Sequence, residues 1–266
     1  MGTGPMNLSG KTAIITAGAG GIGLAIARRF VEYGASICIC DISEESLAEA
    51  AELLPGAIAI RADVSKPADV ERVFTSFQER FDRLDILVNN AGVSGPTKPV
   101  DEITNAEWQA TLDVNITGMF YMVRAATPLF RKQRSGAVIN MSSVAGRIGM
   151  PLRTPYSVSK YAVRGLTDVL AIELGEIGVR VNSLLPGLVD GPRGQRVIAE
   201  QAAAKGIASE EYEQMFLHNI SMHAKIQMEE IADMAAFLGS DLAPHVSGQS
   251  ISVDGNFESY RAPIVA

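Results

Sequence analysis

The sequence predicts an α/β fold, with one parallel sheet inside a single domain, on two observations. Short runs rich in Val and Ile show little alternation with polar residues, as strands do when both faces of a sheet are covered. Segments with the periodicity of amphipathic helices separate these runs. Strand and helix in regular alternation imply a parallel sheet with helices on both faces. The length of 266 residues suits one domain with a substantial core.

Seven strands and six helices follow from these patterns. The strands are the apolar runs at residues 12–16, 36–41, 57–61, 86–89, 137–141, 179–185 and 250–253. The helices are predicted at residues 21–33, 44–53, 67–81, 114–132, 155–177 and 228–238. This order is typical of a doubly wound, Rossmann-type seven-stranded parallel sheet. We expect the domain at residues 8–256, between an N-terminal extension at 1–7 and a C-terminal tail at 257–266.

One region, residues 190–225, interrupts the alternation of strand and helix. It lies between the strand at 179–185 and the helix at 228–238. It has helical periodicity of its own at 197–204 and 210–217. An insertion at the carboxyl end of a late strand lies where such sheets bind ligands. Two interpretations are equally supported: a substrate lid, or helices that pack on the domain or on another subunit.

The composition excludes several classes of function. The net charge of -7 argues against a nucleic-acid surface. No apolar run reaches membrane-spanning length, and the N-terminus lacks a basic segment followed by an apolar one, so we expect a cytoplasmic protein without a membrane partner. Cys38 and Cys40 share one face of a strand, which predicts buried free thiols rather than a disulfide.

A glycine-rich turn joins the first strand to the first helix, where residues 16–23 read Thr-Ala-Gly-Ala-Gly-Gly-Ile-Gly. Glycines let the backbone approach a pyrophosphate, and the start of a helix offers free N–H groups and a positive dipole end. Such a turn alone is a weak signal, but its place between strand and helix predicts a dinucleotide site. The candidates for cofactor contact are Gly18, Gly20, Gly21 and Ile22.

Asp41 ends the second strand and indicates which dinucleotide binds. A carboxylate there can accept hydrogen bonds from both ribose hydroxyls, and it would repel a 2′-phosphate. No Arg or Lys lies directly beside Asp41 in the sequence, so NAD is predicted over NADP. The alternative role is an N-cap for the next helix, for which Ser43 is the better candidate.

Polar and small residues also follow the third and fourth strands. Asp63 and Val64 come after the third strand, and Asn90, Ala91 and Gly92 come after the fourth. A bound dinucleotide would run along these strand ends. Asn, Asp and Gly also form turns, so each position alone is balanced between turn and ligand contact.

Ser143, Tyr156 and Lys160 have a spacing that suits proton transfer. Tyr156 and Lys160 are four residues apart, which puts them on one face of a helix. A free phenol has a pKa of about 10, and a nearby ammonium favours the phenolate. A serine hydroxyl from another segment would then hold a carbonyl or alcohol oxygen for general acid–base chemistry. A Tyr and a Lys at this spacing are usually only a helix surface, but here the other motifs agree.

These motifs together resemble the short-chain dehydrogenase/reductase family, in its compact single-domain branch, over residues 8–256. The positions that carry the resemblance are the 16–23 turn, Asp63, residues 89–92, Asn115, Ser143, the Tyr-Ser-Val-Ser-Lys stretch at 156–160, Pro186, Gly187 and residues 248–255.

The resemblance implies a role for each catalytic candidate. Tyr156 would be the general acid/base, and Lys160 would lower its pKa and bind the nicotinamide ribose. Ser143 would orient the substrate oxygen, and Asn115 would hold a relay water near Lys160. For the cofactor, Asp63 and Val64 would flank the adenine and residues 90–92 would line the site. The Pro186–Gly187 pair would also contact the cofactor, and Val189 would meet the nicotinamide carboxamide.

The chain departs from the family pattern at three positions, one of which is Asn256 in the final turn, where a second glycine is common and Asn tolerates the same left-handed backbone. Ala17 replaces a glycine in the turn, and we expect the neighbouring glycines to make it tolerable. Gly191 stands where the family often has a threonine, which removes one expected contact to the nicotinamide amide.

The predicted function is an NAD-dependent oxidoreductase that transfers hydride between the cofactor and a small or cyclic secondary alcohol or ketone, with oxidation favoured. One alternative is an NADP-dependent 3-ketoacyl reductase, against which Asp41 argues. Another is a non-catalytic dinucleotide sensor, against which the intact set of Asn115, Ser143, Tyr156 and Lys160 argues. No catalytic metal is expected, since His218 and His223 have no third ligand in view.

The sequence says less about the substrate and the assembly than about the cofactor and the catalytic residues. Candidates for an apolar pocket wall are Val93, Ser94, Val144, Gly146, Met150, Leu152, Met215, Phe216, Leu217 and Met222, although ordinary core is favoured for those beyond residue 190. Four arginines near the site, Arg147, Arg153, Arg193 and Arg196, have the charge to bind a carboxylate, although solvated surface is favoured. The resemblance implies tetramers or dimers formed through the helices at 114–132 and 155–177, and we predict a homotetramer. The apolar residues of the tail, Phe257, Tyr260, Ile264 and Val265, are also predicted to reach a neighbouring subunit.

Overall fold

The computed structural model describes residues 6–257, and a seven-stranded sheet runs through them. Its strands are β1 (Thr12–Thr16), β2 (Ser36–Asp41), β3 (Ile58–Arg61), β4 (Ile86–Asn89), β5 (Gly136–Met141), β6 (Val179–Pro186) and β7 (Ser250–Val253). The order is β3-β2-β1-β4-β5-β6-β7, and every pair is parallel. The predicted doubly wound sheet is confirmed, with strand ends within two residues of those expected.

Nine α-helices connect the strands in the described part of the chain. They are α1 (Gly21–Glu32), α2 (Glu44–Leu53), α3 (Pro67–Gln78), α4 (Asn105–Leu112), α5 (Gly118–Gln133), α6 (Thr154–Gly175), α7 (Pro192–Lys205), α8 (Ser209–His218) and α9 (Met228–Gly239). One core cluster packs α1, α2 and α9 on one face of the sheet, around Phe30 and Ile231. A second packs α3, α5 and α6 on the other face, around Phe77 and Phe130. The sheet is therefore covered on both faces, as its apolar strands predict.

The helical stretch that contains the helix predicted at residues 114–132 starts earlier, at Asn105, and is less regular than expected. Helix α4 begins this stretch, and a π-helical turn, Asp113–Thr117, joins α4 to α5. A capping box starts α4: the Thr104 hydroxyl accepts the Glu107 N–H at 3.2 Å, and the Glu107 carboxylate accepts the Thr104 N–H at 3.0 Å. The Thr-x-x-Glu signal for this missed helix is thus present in the sequence. A π turn often marks a functional site, and Asn115 lies in this one.

Residues 190–225, here called the insert, contain α7 and α8. A small core of Leu188, Ile198 and Ile220 packs beneath them, joined by partly buried neighbours that include Phe216 and Phe257. The two ends of the insert meet where Val189 and Ile226 form a parallel bridge. Lys225 forms ion pairs with Asp190, at 3.6 Å, and with Glu213. The insert therefore has its own packing and a closed base.

Several other expectations concern side chains within residues 6–257. Cys38 and Cys40 are buried free thiols, as predicted, and burial together with the charge of Asp41 raises the pKa of Cys40 to about 12. No helix there is long and apolar enough to cross a membrane. In the predicted tail, Phe257 stacks on Phe216 with ring centroids 4.9 Å apart. Tyr260, Ile264 and Val265 lie outside the described residues.

Candidate active site

The glycine-rich turn between β1 and α1 is fixed from the neighbouring strand by Asn90. The Asn90 amide donates to the carbonyl oxygens of Thr16, at 3.1 Å, and Ala17, at 3.2 Å. The Thr16 hydroxyl accepts the backbone N–H groups of Asn90 and Ala91, both at 2.9 Å. A Cβ at Gly23 would overlap the Ala17 carbonyl oxygen, so only glycine fits where α1 passes under the turn. Asn90 thus acts on the turn that would hold the cofactor.

Glycine occupies the positions of the 16–23 turn for different physical reasons. A Cβ at Gly18 would lie 2.7 Å from the Ile39 side chain, so this glycine is required by packing on β2. Gly20 and Gly21 face open space before the first turn of α1, with no atom within 4 Å of a Cβ. Ile22 packs on the core behind them. Ala17 has φ of 48°, a left-handed backbone that costs a non-glycine residue about 1–2 kcal/mol.

Asp41 lies at the edge of this turn. Its carboxylate accepts the Ala19 N–H at 3.3 Å and the Ser43 N–H at 3.2 Å. Ser43 is the N-cap of α2, because its hydroxyl accepts the Ser46 N–H at 3.1 Å. The capping alternative for Asp41 is therefore wrong, and a half-buried carboxylate remains beside the open turn.

The residues after β3 form a local turn. The Asp63 carboxylate accepts the backbone N–H of Ser65 at 2.9 Å and its hydroxyl at 2.7 Å. Val64 is buried against Gly118, where a Cβ would lie 2.7 Å from the valine side chain. Both residues thus have structural contacts, and their contact with an adenine stays a prediction.

These features together fit a dinucleotide. Two glycines leave room in front of a helix N-terminus, whose free N–H groups suit a pyrophosphate. The carboxylate of Asp41 lies at the same edge, at a position that suits a ribose. The order of the strands reverses at β1 and β4, which opens the crevice where such sheets bind their ligands.

Ser143, Tyr156 and Lys160 come together at the carboxyl ends of β4 and β5. Ser143 follows β5, where its hydroxyl accepts the Ala145 N–H at 3.1 Å and helps to lower the pKa of the Tyr156 phenol. Lys160 lies one turn along α6, with Nζ 5.7 Å from the centre of the Tyr156 ring. The neighbouring Ser142 instead donates to the Lys160 carbonyl at 2.8 Å and fastens α6 to β5. Ser142 is thus engaged in packing, and the role of Ser143 in orienting the substrate oxygen stays a prediction.

The charges around Tyr156 favour its phenolate. Burial opposes ionisation, but the positive charges of Lys160 and Arg193, the Ser143 hydroxyl and the positive charge of Arg153 outweigh it. The net effect lowers the pKa of Tyr156 below its usual value. Burial lowers the pKa of Lys160 to about 8, although the attraction of Tyr156 opposes that change. The Lys160 ammonium has one protein partner, the Met141 carbonyl at 2.8 Å, in the part of the chain that the structure describes.

Asn115 is fully buried and has three hydrogen bonds. Its side-chain oxygen accepts the Val93 N–H at 2.7 Å, and its amide donates to the Val93 carbonyl and the Ser159 hydroxyl, both at 3.0 Å. A Cβ at Gly92 would lie 3.2 Å from the Asn115 oxygen and 3.4 Å from the Lys160 ammonium. Asn115 therefore fixes the loop after β4 beside Lys160, which is where a relay water was predicted.

The residues after β6 lie on the other side of the crevice. The Gly187 N–H donates to the Val253 carbonyl at 2.9 Å, and a Cβ there would lie 2.8 Å from the Asp254 Cα. Glycine is thus required beside Pro186 by the approach of β7. Val189 lies at the base of the insert, and Gly191 has φ of 153°, a backbone conformation that L side chains rarely adopt. A threonine would be strained at Gly191, and the flexible end of the Met228 side chain would have to move to make room for it.

The interpretation of the arginines as solvated surface is wrong for Arg153. Its side chain is 3% exposed, and its guanidinium carbon lies 4.8 Å from the centre of the Tyr156 ring. Arg193 is exposed but lies 5.9 Å from the same ring and donates to the Gly92 carbonyl at 3.0 Å. Arg196 is exposed, and Arg147 donates to the Ser250 carbonyl at 2.9 Å. No sequence signal separates Arg153 from the other three.

The insert residues predicted as an apolar pocket wall fall into two groups, one packed in a core and one exposed. Phe216 and Leu217 pack on the small core of the insert, which confirms the core interpretation for them. Met215 and Met222 are 50% and 72% exposed, and neither belongs to that core. Near Tyr156, Val144 is buried, whereas Val93 is 40% exposed.

Comparisons with known proteins agree with this geometry. A family model described as enoyl-(acyl carrier protein) reductase matches residues 17–257. The D-beta-hydroxybutyrate dehydrogenase of Rhizobium meliloti is 34% identical over 254 residues, which cover 93% of this chain and 98% of that protein. The crystal structure of levodione reductase superposes with a TM-score of 0.90 and 31% identity, covering 96% of this chain and all of that one. The crystal structure of NAD+-bound xylitol dehydrogenase superposes with a TM-score of 0.89 and 29% identity, covering 93% of this chain and 98% of that one.

The fold and the site define a nicotinamide dinucleotide-binding oxidoreductase. The dinucleotide crevice and the Ser–Tyr–Lys cluster occupy adjoining parts of one sheet edge, so cofactor and substrate would meet there. The chain belongs to the short-chain dehydrogenase/reductase family.

Proposed function

We propose that the protein is an NAD-dependent oxidoreductase that moves hydride between a nicotinamide cofactor and a small or cyclic secondary alcohol or its ketone. The observation that carries this proposal is the position of the Tyr156 ring, with its centre 5.7 Å from Lys160 Nζ and 4.8 Å from the Arg153 guanidinium carbon, whose charges help to lower the pKa of the phenol. The cofactor, when bound, supplies the hydride acceptor for oxidation or the donor for reduction.

Tyr156 holds the proton that the reaction moves. In the oxidative direction its phenolate accepts the hydroxyl proton of the alcohol, and in the reverse direction its phenol returns that proton to the carbonyl oxygen. Ser143 helps to lower the pKa of the phenol and orients the substrate oxygen beside it. Lys160 stabilises the phenolate and binds the nicotinamide ribose, and Asn115 holds the loop from which a relay water reaches Lys160.

Asp41 supports NAD as the preferred cofactor. Its carboxylate lies beside the open turn, where it would accept ribose hydroxyls and repel a 2′-phosphate. The predicted contacts of Asp63, Val64, residues 90–92, Pro186, Gly187 and Val189 follow the same crevice. A relative named 3-oxoacyl-(acyl-carrier-protein) reductase, from Thermotoga maritima and 34% identical over 254 residues, favours a second candidate, an NADP-dependent 3-ketoacyl reductase. Rates with NADP and with NAD are compared in Asp41→Ser and in the wild type. A higher ratio of the NADP rate to the NAD rate in the variant is expected from the first proposal only.

Initial rates on linear diols, cyclic alcohols, sugars and hydroxy acids test the activity, each with NAD and with NADP. We expect turnover with NAD on one class and its loss in Tyr156→Phe, with NADH binding retained. Arg28→Gln is the matched control, since Arg28 is exposed on α1, away from the site. Retained turnover in Tyr156→Phe would show that another group moves the proton. NADH binding without turnover on any class would favour a non-catalytic dinucleotide sensor.

The assembly that we propose is a homotetramer formed through α5 and α6. Both helices leave apolar side chains exposed while their other faces pack on the sheet. The exposed side chains include Phe120, Val158, Tyr161, Val169 and Ile172, the last at 76%. Light scattering should give four times the mass of the chain, and a monomer at all concentrations would refute this assembly.

A further inference from the structure

Arg153 is a buried cation with most of its hydrogen-bond donors unused. It immediately precedes α6, and its Nη2 donates to the Ser94 carbonyl at 3.1 Å. Within residues 6–257, Nε and Nη1 are buried and have no hydrogen-bond partner, and the same holds for the Ser94 hydroxyl. Three unsatisfied polar atoms therefore belong to two residues that are already in contact.

A guanidinium in this position lacks an anion. Arginine stays charged in proteins, and a buried charge is costly unless it is paired and hydrogen-bonded. Glu200 of α7 attracts Arg153, but no ion pair within 4 Å joins them in the described residues. The Glu200 carboxylate instead accepts the Thr97 hydroxyl at 3.0 Å and lies 3.9 Å from Arg196. The Lys160 and Arg193 side chains add further positive charge around Tyr156.

The surroundings of Arg153 point to the substrate rather than to the cofactor. Its contacts are the Ser94 carbonyl and the Tyr156 ring, and the charge of Glu200 and the phenol of Tyr212, both on the insert, act on its guanidinium. The cofactor pyrophosphate is expected at the 16–23 turn, which contributes none of these contacts. With its guanidinium carbon 4.8 Å from the phenol ring centre, Arg153 would hold an anion next to the reacting group.

We propose that Arg153 and the Ser94 hydroxyl bind a carboxylate of the substrate, so that the protein acts on hydroxy acids and the matching keto acids. This inference rests on the proposed oxidoreductase function and specifies its substrate class. A carboxylate matches the spare N–H groups of a guanidinium and the donor of a hydroxyl, and it neutralises the excess charge around Tyr156. Because Arg153 faces α7 and α8, the insert would enclose the bound acid.

The first test compares each acid with its neutral analogue. Hydroxy acids of three to six carbons are assayed with NAD beside their primary amides, which keep the shape and lose the charge. Wild type should prefer the acid by about 100-fold in kcat/KM. In Arg153→Gln, kcat/KM for the acid should fall by about 100-fold and kcat/KM for the amide by a few-fold only, because a buried pair of charges is lost. For the acid, the kcat/KM of Arg153→Lys should lie between the values of wild type and Arg153→Gln, and that of Arg28→Gln should match wild type.

A second test measures binding without turnover. The same acids, and the corresponding keto acids, are titrated into the enzyme–NADH complex and followed by NADH fluorescence. The carboxylate site is supported if Arg153→Gln and Ser94→Ala both weaken the binding of an acid while NADH affinity stays unchanged. If the acids bind in this way but none is oxidised, the site stands and the proposed function is removed. Turnover of neutral alcohols with no binding of any acid would overturn the site and keep the function.

The remaining outcomes also decide the question. An equal loss for acid and amide in Arg153→Gln would mean that Arg153 acts on Tyr156 and not on the substrate, and the inference would be wrong. A loss of NADH affinity would assign Arg153 to the cofactor. Should Arg153→Gln fail to fold, as circular dichroism would show, Arg153→Lys and Ser94→Ala give the same comparison of acid with amide.

Discussion

Replacing Lys160 by methionine should abolish turnover and at the same time make the fold more stable. Burial lowers the pKa of the Lys160 ammonium from 10.5 to about 8. At about 1.4 kcal/mol for each pKa unit, holding this charge inside the fold costs about 3 kcal/mol near neutral pH. Methionine has a similar length and no charge, but it leaves the Met141 carbonyl without its donor, which costs about 1–2 kcal/mol. The net gain in the free energy of unfolding is therefore about 1–2 kcal/mol at pH 7.

The sign of the pH dependence follows from the lowered pKa. Below pH 8 lysine is charged in both the folded and the unfolded chain, so the folded state carries the whole penalty. Between pH 8 and 10.5 the folded lysine has lost its proton and the unfolded one has not, so the penalty shrinks as the pH rises. The advantage of Lys160→Met over wild type should therefore be largest below pH 8 and fall at higher pH.

Urea unfolding of both proteins at pH 7 and at pH 9.5, at one fixed protein concentration because assembly adds stability, measures this difference. Lys160→Gln serves as a control that keeps a donor for the Met141 carbonyl. The reasoning is refuted if Lys160→Met is less stable than wild type at pH 7 and the difference does not change with pH.

Three more outcomes follow from geometry already described. Ala17→Gly should raise the free energy of unfolding by about 0.5–1 kcal/mol, because it relieves a left-handed backbone at the cost of a more flexible unfolded chain; urea unfolding measures this. Arg193→Gln should move the pH at which kcat/KM for alcohol oxidation is half-maximal upward, since Arg193 helps to lower the pKa of Tyr156; a pH–rate profile that stays in place would contradict this. Asn115→Ala should cost about 2–4 kcal/mol of stability, read by urea unfolding, because it leaves both backbone groups of Val93 unpaired; a loss of activity alone would show that only a relay role exists.

The sheet could be predicted from the sequence because each strand is buried on both faces. Such strands are continuous runs of Val and Ile, and their bounds fell within two residues of the structure. Helix α4 was missed because the π turn at Asp113–Thr117 breaks the 3.6-residue period that would have joined it to α5. The capping box at Thr104 marks its start without reference to that period.

The cluster of Ser143, Tyr156 and Lys160 could be placed from spacing, since two of its members share a helix face. The environment of Arg153 could not. A polar residue before a helix is ordinarily solvated, but this one is buried in the folded chain, where Ser94 and the Tyr156 ring contact its guanidinium. Burial of a loop residue depends on contacts distant in sequence, so the carboxylate site is visible only in the folded chain.

The insert has a consequence for how this chain can diversify. Its helices pack on a small core around Leu188, Ile198 and Ile220, and its two ends meet at the bridge between Val189 and Ile226. Substitutions in α7 and α8 therefore change what lies above Tyr156 while the two main cores under the sheet stay as they are. We expect that exchanging residues 190–225 with those of a relative changes the surroundings of the substrate, while Ser143, Tyr156 and Lys160 stay on the main fold.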